Sequence, residues 1–283
     1  MTTPIRVGLI GAGIGKSRTP RLHMAEAAAQ GFRLRYDLID VETQTDPSLE
    51  RLIAEAEAEG FAGLNITHPF KQAVLPLLEE LSENASALGA VNTVVFGERG
   101  RVGHNTDWSG FLEGFRQTLP DVPVGTVLQL GAGGAGAAVA YAAQAMKVER
   151  LLLSDMDIGR AEALAARMNA SAGRAYIHVV SDLSAAMEAA DGLINTTPMG
   201  MAAHPGLPLP AELLASRHWV ADVVYFPLVT PLLALARERG CRTVDGSGMA
   251  VFQAVGAFRL FTGKDADPRR MRQTFQAATP VTA

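Results

Sequence analysis

The sequence predicts an α/β fold in two domains, an amino-terminal α/β domain and a Rossmann-like, doubly wound parallel sheet. Three observations predict it. At 283 residues the chain is longer than one hydrophobic core ordinarily needs, so each of two domains can bury its own. Short apolar runs alternate with helix-length amphipathic or alanine-rich stretches along most of its length, which is the pattern of βαβ units. In residues 127–155 one such unit carries a glycine-rich turn between strand and helix and ends its second strand on an acid.

That unit begins with the apolar run 127–130, read as a buried strand, and continues as Gly131-Ala132-Gly133-Gly134-Ala135-Gly136. Gly131, Gly133 and Gly136 fall on the G-x-G-x-x-G spacing. The first permits a tight turn, the second lets a pyrophosphate approach the backbone, and the third lets the helix pack closely on the sheet. A pyrophosphate there meets unpaired N–H groups at the positive end of a helix dipole. The second strand, 151–154, ends at Asp155, the acid expected to take the two ribose hydroxyls. A carboxylate there repels a 2′-phosphate, and Met156 and Asp157 supply no cation to receive one, so NAD is preferred and NADP is the second choice. Arg160 is the nearest cation and is expected to face solvent from a helix.

Composition excludes several classes. A hydrophobic fraction of 48%, a charged fraction of 19% and a net charge of −4 describe an ordinary soluble domain pair with no pull toward nucleic acid or anionic membrane. Cys241 is the single cysteine, so no intramolecular disulfide forms, a cysteine metal site is not expected, and a reducing cytoplasm fits. Its neighbours place it by an edge strand as a buried, inert thiol. Residues 7–10 are too short for a signal sequence, and 130–146 too short and too interrupted for a membrane span.

In chain order, a strand over 5–10 leads into Gly11-Ala12-Gly13-Ile14-Gly15-Lys16-Ser17. A P-loop requires glycine where Ile10 stands, so this turn is not a phosphate loop. Ser17 and Thr19 precede Pro20 and a helix over 21–30; the two hydroxyls either bind a carboxylate or cap that helix. A strand over 33–39 and a helix over 47–60 follow. Residues 63–71 then read as a strand breaking into a loop that carries Asn65, Thr67, His68 and Lys71, with His68 turned away from Thr67. A helix over 72–88 leads to a strand at 89–95 that starts near Asn92, and a hairpin around 97–100 follows. Asp107 precedes a helix over 108–118, as its cap or as a catalytic carboxylate, and 120–125 reads as a linker. Beyond Asp155 the alternation continues: helix 160–169, strand 175–180, helix 183–190, strand 192–196, strand 219–225 and a closing strand at 243–246. The loop from Asn195 to Met201 leaves the carboxyl end of a strand, where doubly wound sheets bind ligands. A long helix over 247–262 carries Gln253 among apolar neighbours.

Taken in order, the motifs Ser17-x-Thr19-Pro20, Asn65-x-Thr67-x-Pro69-Phe70-Lys71, Gly89-Ala90-Val91-Asn92-Thr93, Asn105-Thr106-Asp107-x-x-Gly110, Gly131-x-Gly133-Gly134, Asn195-x-Thr197-x-Met199-Gly200-Met201 and Gly246-x-x-Met249-x-x-x-Gln253 resemble those of the shikimate and quinate dehydrogenase family. The resemblance covers essentially the whole chain. It implies a substrate domain formed by 1–111 and 252–283 and a nicotinamide domain formed by 112–251. It implies that Ser17 and Thr19 hold the substrate carboxylate, that Asn65 shapes the loop below it, and that Thr67, Lys71, Asn92, Asp107, Tyr225 and Gln253 surround the ring hydroxyls. Lys71 and Asp107 are the implied catalytic pair, since removing a proton from an alcohol and balancing oxyanion charge is the protein's share of a hydride transfer. The cofactor set it implies adds Met156, Asn195, Thr196, Thr197, Met199, Val223, Gly246 and Met249 to Ala132, Ala135, the glycines and Asp155. No metal is implied.

Two departures refine the resemblance. NADP-using members resemble one another in an Asn-Arg-Thr run where this chain has Asp155-Met156-Asp157, which again favours NAD. Thr19 replaces a second serine, as in the branch that accepts quinate as well as shikimate. The expected activity is therefore interconversion of shikimate with 3-dehydroshikimate, quinate with 3-dehydroquinate, or both, by a cytoplasmic monomer or homodimer. An NADP-dependent shikimate or aminoshikimate dehydrogenase and a non-catalytic nucleotide-sensing module are the alternatives; intact Lys71, Asp107 and Gln253 argue against the latter.

Overall fold

The first strand, β1 (Ile5–Gly11), is buried along most of its length, and the chain winds α1 (Thr19–Ala29), β2 (Leu34–Asp40), α2 (Leu49–Ala58) and β3 (Gly63–Ile66) around it. The computed structural model describes residues 3–45 and 47–277. β4 (Glu80–Leu81), α3 (Glu83–Leu88), β5 (Thr93–Gly97) and β6 (Gly100–His104) follow. β1 pairs in parallel with β2 and β3, β5 runs antiparallel to β3 and β6, and the sheet order is β2-β1-β3-β5-β6-β4. Ser48 accepts from the Arg51 N–H to start α2, which buries Leu52, Ile53 and Ala56 against Ile10, Leu64, Ile66 and Val94.

The second sheet is built in six parallel steps. After α4 (Asp107–Thr118) come β7 (Thr126–Leu130), α5 (Gly134–Ala145), β8 (Arg150–Ser154), α6 (Ile158–Ala172), β9 (Ile177–Val179), α7 (Leu183–Ala189), β10 (Gly192–Asn195), β11 (Trp219–Asp222), α8 (Pro231–Glu238) and β12 (Arg242–Val244). The order β12-β11-β10-β7-β8-β9 reverses direction between β7 and β10, which is the topological switch point of a doubly wound sheet. The buried side chains of α5 are alanines, a valine and Gly136, so that helix lies close on the sheet. The chain then runs through α9 (Ser247–Thr262) and α10 (Pro268–Ala277). On α10, Arg270 meets the buried carboxylate of Glu26 on α1 at 2.6 Å. Burial alone raises the Glu26 carboxyl, but bonds from Arg270, the Asp267 N–H and Gln30 outweigh it and hold the group below its ordinary value.

The chain divides into two compact units, residues 1–106 with 251–283 and residues 107–250. The two-sheet α/β prediction holds, and one local expectation is corrected. The helix expected over 72–88 is a series of turns, a single 3-10 turn, the short β4, and α3. Pro76 removes a helical donor in the middle of that span, and Ser82 restarts the helix by accepting from the Ala85 N–H. The 120–125 linker joins α4 to β7 and is tied down: the Pro123 carbonyl accepts from the buried Trp219 indole at 2.7 Å and the Gly125 carbonyl from the Arg150 N–H. Helices α8 and α10 were not expected; the first is opened by Thr230 accepting from the Leu233 N–H, the second by Asp267 accepting from Arg269 and Arg270.

Candidate active site

In the second unit, the glycine turn after β7 gives its three glycines three different surroundings. Gly131 has φ +100°, and a Cβ there would sit 2.7 Å from Thr196 Oγ1. A Cβ on Gly136 would lie 2.3 Å from the Gly131 carbonyl oxygen, so helix and turn touch backbone to backbone. A Cβ on Gly133 would meet nothing within 4 Å, and this residue caps α5 with no side-chain bond to the first turn. Two side chains pin the turn from below. Gln129, buried in β7, donates to the Gly131 and Gly136 carbonyls at 2.9 Å each, and Thr196 Oγ1 donates to the Leu130 carbonyl at 2.7 Å.

Asp155 follows β8 and is already aimed: Oδ2 accepts from the Ala132 N–H at 2.7 Å and Oδ1 from the Asp157 N–H at 2.9 Å. Arg160, expected in solvent, leans back on these acids, 3.4 Å from Asp157 and 4.0 Å from Asp155, while remaining half-exposed. Met156 is fully exposed.

The loop after β10 is held by its own side chains. Asn195, buried, accepts at Oδ1 from the Thr197 N–H and hydroxyl at 3.1 and 2.7 Å, and donates from Nδ2 to the Met199 carbonyl at 3.1 Å and to Asp222 Oδ1 at 3.0 Å. Thr197 Oγ1 in turn accepts from the Met199 N–H at 3.2 Å. Beyond β11, the Val223 N–H donates to the Asn195 carbonyl, and a Cβ on Gly246 would lie 2.4 Å from the Val223 carbonyl oxygen. Tyr225 is exposed at 44% and Met249 is half-buried. Burial pushes the Asp222 carboxyl up to about 6.

In the first unit, a buried polar network links β2, β3 and β5 with the segment before α4. Tyr36 donates its hydroxyl to Asn65 Oδ1 at 2.7 Å; Asn65 Nδ2 donates to Thr93 Oγ1 at 3.0 Å and to the Asn92 carbonyl at 3.2 Å. Asn92 closes onto Thr106, accepting from its N–H at 2.8 Å and donating to its hydroxyl at 2.9 Å. Each amide in this network is matched, as buried amides require. Burial drives the Tyr36 hydroxyl well above its ordinary range, so it stays a donor. Thr67 extends the line of β3, its N–H donating to the Ile10 carbonyl at 3.0 Å, and His68 is exposed beside it. Lys71 is half-buried, and its carbonyl accepts from the Val91 N–H at 2.8 Å, which ties it to the segment carrying Asn92.

For Ser17 and Thr19, the residue at the cap position of α1 is Arg18, which makes no side-chain cap bond; Ser17 Oγ accepts from the Thr19 N–H at 3.3 Å. Gln253 lies half-buried on α9, one turn before Gly256, where a Cβ would come within 3.1 Å of Thr106. Asp107 opens α4 in the second unit and is 5% exposed. Cys241 is buried, and burial raises its thiol. Among the described residues no three His, Cys, Asp or Glu side chains are grouped to hold a metal ion, and no described helix is long and apolar enough to cross a membrane.

Sequence reasoning passed over Tyr36, Thr93, Thr106, Gln129, Asp222 and Thr230. Gln129 and Asp222 carry a signal in the sequence, being polar residues inside or ending apolar strand runs, as does Thr230, a cap residue before Pro231; Tyr36, Thr93 and Thr106 show it only through partners more than ten residues away.

Comparison with known proteins gives a consistent result. Residues 9–94 match the family model described as the shikimate dehydrogenase substrate binding domain, and residues 246–274 match the shikimate 5′-dehydrogenase C-terminal domain. A quinate/shikimate dehydrogenase (NAD(+)) of Corynebacterium efficiens is 54% identical over 96% of this chain and 97% of its own. A shikimate dehydrogenase (NADP(+)) of Streptomyces avermitilis is 52% identical over 94% of this chain and 92% of its own. Among solved structures, quinate dehydrogenase from Corynebacterium glutamicum in complex with NAD superposes with a TM-score of 0.92 at 50% identity, covering 97% of this chain and 99% of that one.

Proposed function

The chain belongs to the shikimate and quinate dehydrogenase family, and from that premise we propose that it oxidises the ring alcohol of quinate, shikimate or both with NAD, and runs the reverse reduction. The observation that carries the cofactor half is the open face at Gly133 above an uncapped helix, with Asp155 held beside it by the Ala132 N–H. Gly133, Gly134 and Ala135 offer backbone N–H groups to the pyrophosphate, while the Ala132 N–H holds Asp155. Asp155 takes the adenosine ribose hydroxyls beside Met156, and its fixed carboxylate opposes a 2′-phosphate. Thr196, Thr197, Met199, Val223, Gly246 and Met249 line the nicotinamide side. The nicotinamide supplies the hydride acceptor in oxidation and the donor in reduction.

The remaining work falls to the chain. We assign the substrate carboxylate to Ser17 and Thr19, and the ring hydroxyls to Thr67, Asn92, Tyr225 and Gln253, with Asn65 supporting Asn92 from beneath. Lys71 and Asp107 receive the proton that leaves the reacting hydroxyl and balance the developing alkoxide charge. The lone cysteine, Cys241, is a buried free thiol, which supports a reducing cytoplasm.

Lys71→Ala tests the assignment. We expect kcat on quinate to fall by roughly two orders of magnitude or more with NAD still bound at near wild-type affinity. Undiminished turnover removes Lys71 from the site.

A further inference from the structure

We propose that Asp222 is a positioning residue for the cofactor: acting through Asn195, it anchors that amide in the orientation the loop requires and so holds the shape of the 195–199 loop. The inference rests on reading the carboxyl ends of this sheet as the cofactor face. A primary amide has a donor end and an acceptor end of nearly the same shape, so a buried asparagine needs a partner that tells them apart. Asn195 is fully buried. An ionised carboxylate only accepts, so Asp222 Oδ1, 3.0 Å away, admits only the Nδ2 end.

The consequence runs outward. With Nδ2 committed, Asn195 Oδ1 must face Thr197 and accept from both its N–H and its hydroxyl. The Thr197 hydroxyl, having spent its proton, is left to accept from the Met199 N–H. Reversing the amide would set two donors against each other at Thr197 and an oxygen against the Asp222 carboxylate. The Thr197 N–H, which only donates, and the Met199 carbonyl, which only accepts, favour the same orientation, so the carboxylate reinforces a single polarity on the bonds of the loop.

Asp222 is itself completed by neutral donors, the Val224 N–H at 3.0 Å on Oδ1 and the Thr230 hydroxyl at 2.7 Å on Oδ2. The two oxygens therefore serve different ends: Oδ1 faces the loop and the chain after β11, and Oδ2 faces the cap of α8. This split makes the proposal separable by substitution. Asp222→Asn can keep its Oδ1 on Asn195 and Val224 while its amide donates to Thr230, whose hydroxyl is able to accept. Asp222→Ala loses both ends. Thr230→Val loses only the Oδ2 end.

The test measures NAD binding to the intact chain by calorimetry, alongside steady-state kinetics. Asp222→Ala should raise the NAD Kd and the KM for NAD about tenfold or more, with the KM for the acid changed less than about threefold. Asp222→Asn should bind NAD within about threefold of wild type, and Thr230→Val should lower Tm without moving the NAD Kd. Adding Asp222→Ala to Asn195→Ala should cost no further affinity, which a merely structural aspartate does not predict. Should Asp222→Ala fail to fold, Asn195→Leu decides: a tenfold rise in NAD Kd supports the proposal and an unchanged one overturns it. Wild-type affinity in Asp222→Ala, additive losses in the double variant, or a loss in Asp222→Asn as large as in alanine each overturn it. A wild-type chain that binds no NAD sinks the cofactor reading with it; a wild-type chain that binds NAD as tightly as all these variants sinks the Asp222 assignment alone.

Discussion

Asp155 and His23 show how much one side chain decides. Asp155 is held by two backbone donors, and in the proposed cofactor role its charge is fixed where a 2′-phosphate would sit. Asp155→Asn is expected to weaken NAD and tolerate NADP better, narrowing the NAD:NADP ratio of kcat/KM by about tenfold or more; an unchanged ratio contradicts the role given to the carboxylate. His23 is buried on α1 against Tyr36, Phe258 and Phe261, with neither ring nitrogen hydrogen-bonded among the described residues. Burial lowers it to about 3 from an ordinary 6.5. Above about pH 6.5 neither folded nor unfolded chain carries this proton; as pH falls toward 3 only the unfolded chain gains it, and stability declines by roughly 4 kcal/mol across that window. His23→Leu should flatten this limb in urea unfolding between about pH 7 and 4, and an unaltered slope excludes a neutral imidazole as its source. Asp155 was legible because its spacing from the glycines is local. His23 was not, since its surroundings come from β2 and α9, far along the chain.

Among the elements, the glycine turn offers the sharpest contrast. Gly136→Ala forces a Cβ onto the Gly131 carbonyl, so it should cost about 1–3 kcal/mol of stability as well as NAD affinity. Gly133→Ala adds a methyl to open space at φ −74°, so it should leave Tm nearly unchanged while NAD affinity falls. Equal stability losses in the two variants would show that the turn is wrongly described. The strand-turn-helix unit could be read because its apolar run, its glycines and its acid lie within thirty residues. The span 72–88 was misread because its composition suits a helix while Pro76 forbids one, and α8 was passed over although Thr230-Pro231 is a cap followed by a first-turn proline.

For the whole molecule, alternation of strand and helix was enough to forecast two α/β units, because burying one face of each helix on a sheet leaves few other solutions. Motif order carried the family, and with it the residues expected at the site. The hairpin expected around 97–100 is the antiparallel pair β5–β6; what alternation could not supply is that β5 also runs antiparallel to β3, or the polar networks under Asn65, Asn92 and Asn195, whose members meet only in the folded chain. The most direct test of the account is the set of kcat/KM values for quinate and for shikimate, each with NAD and with NADP. Turnover of at least one acid, with NAD preferred for every acid used, is the expected result; preference for NADP, or no turnover of either acid, contradicts the assignment.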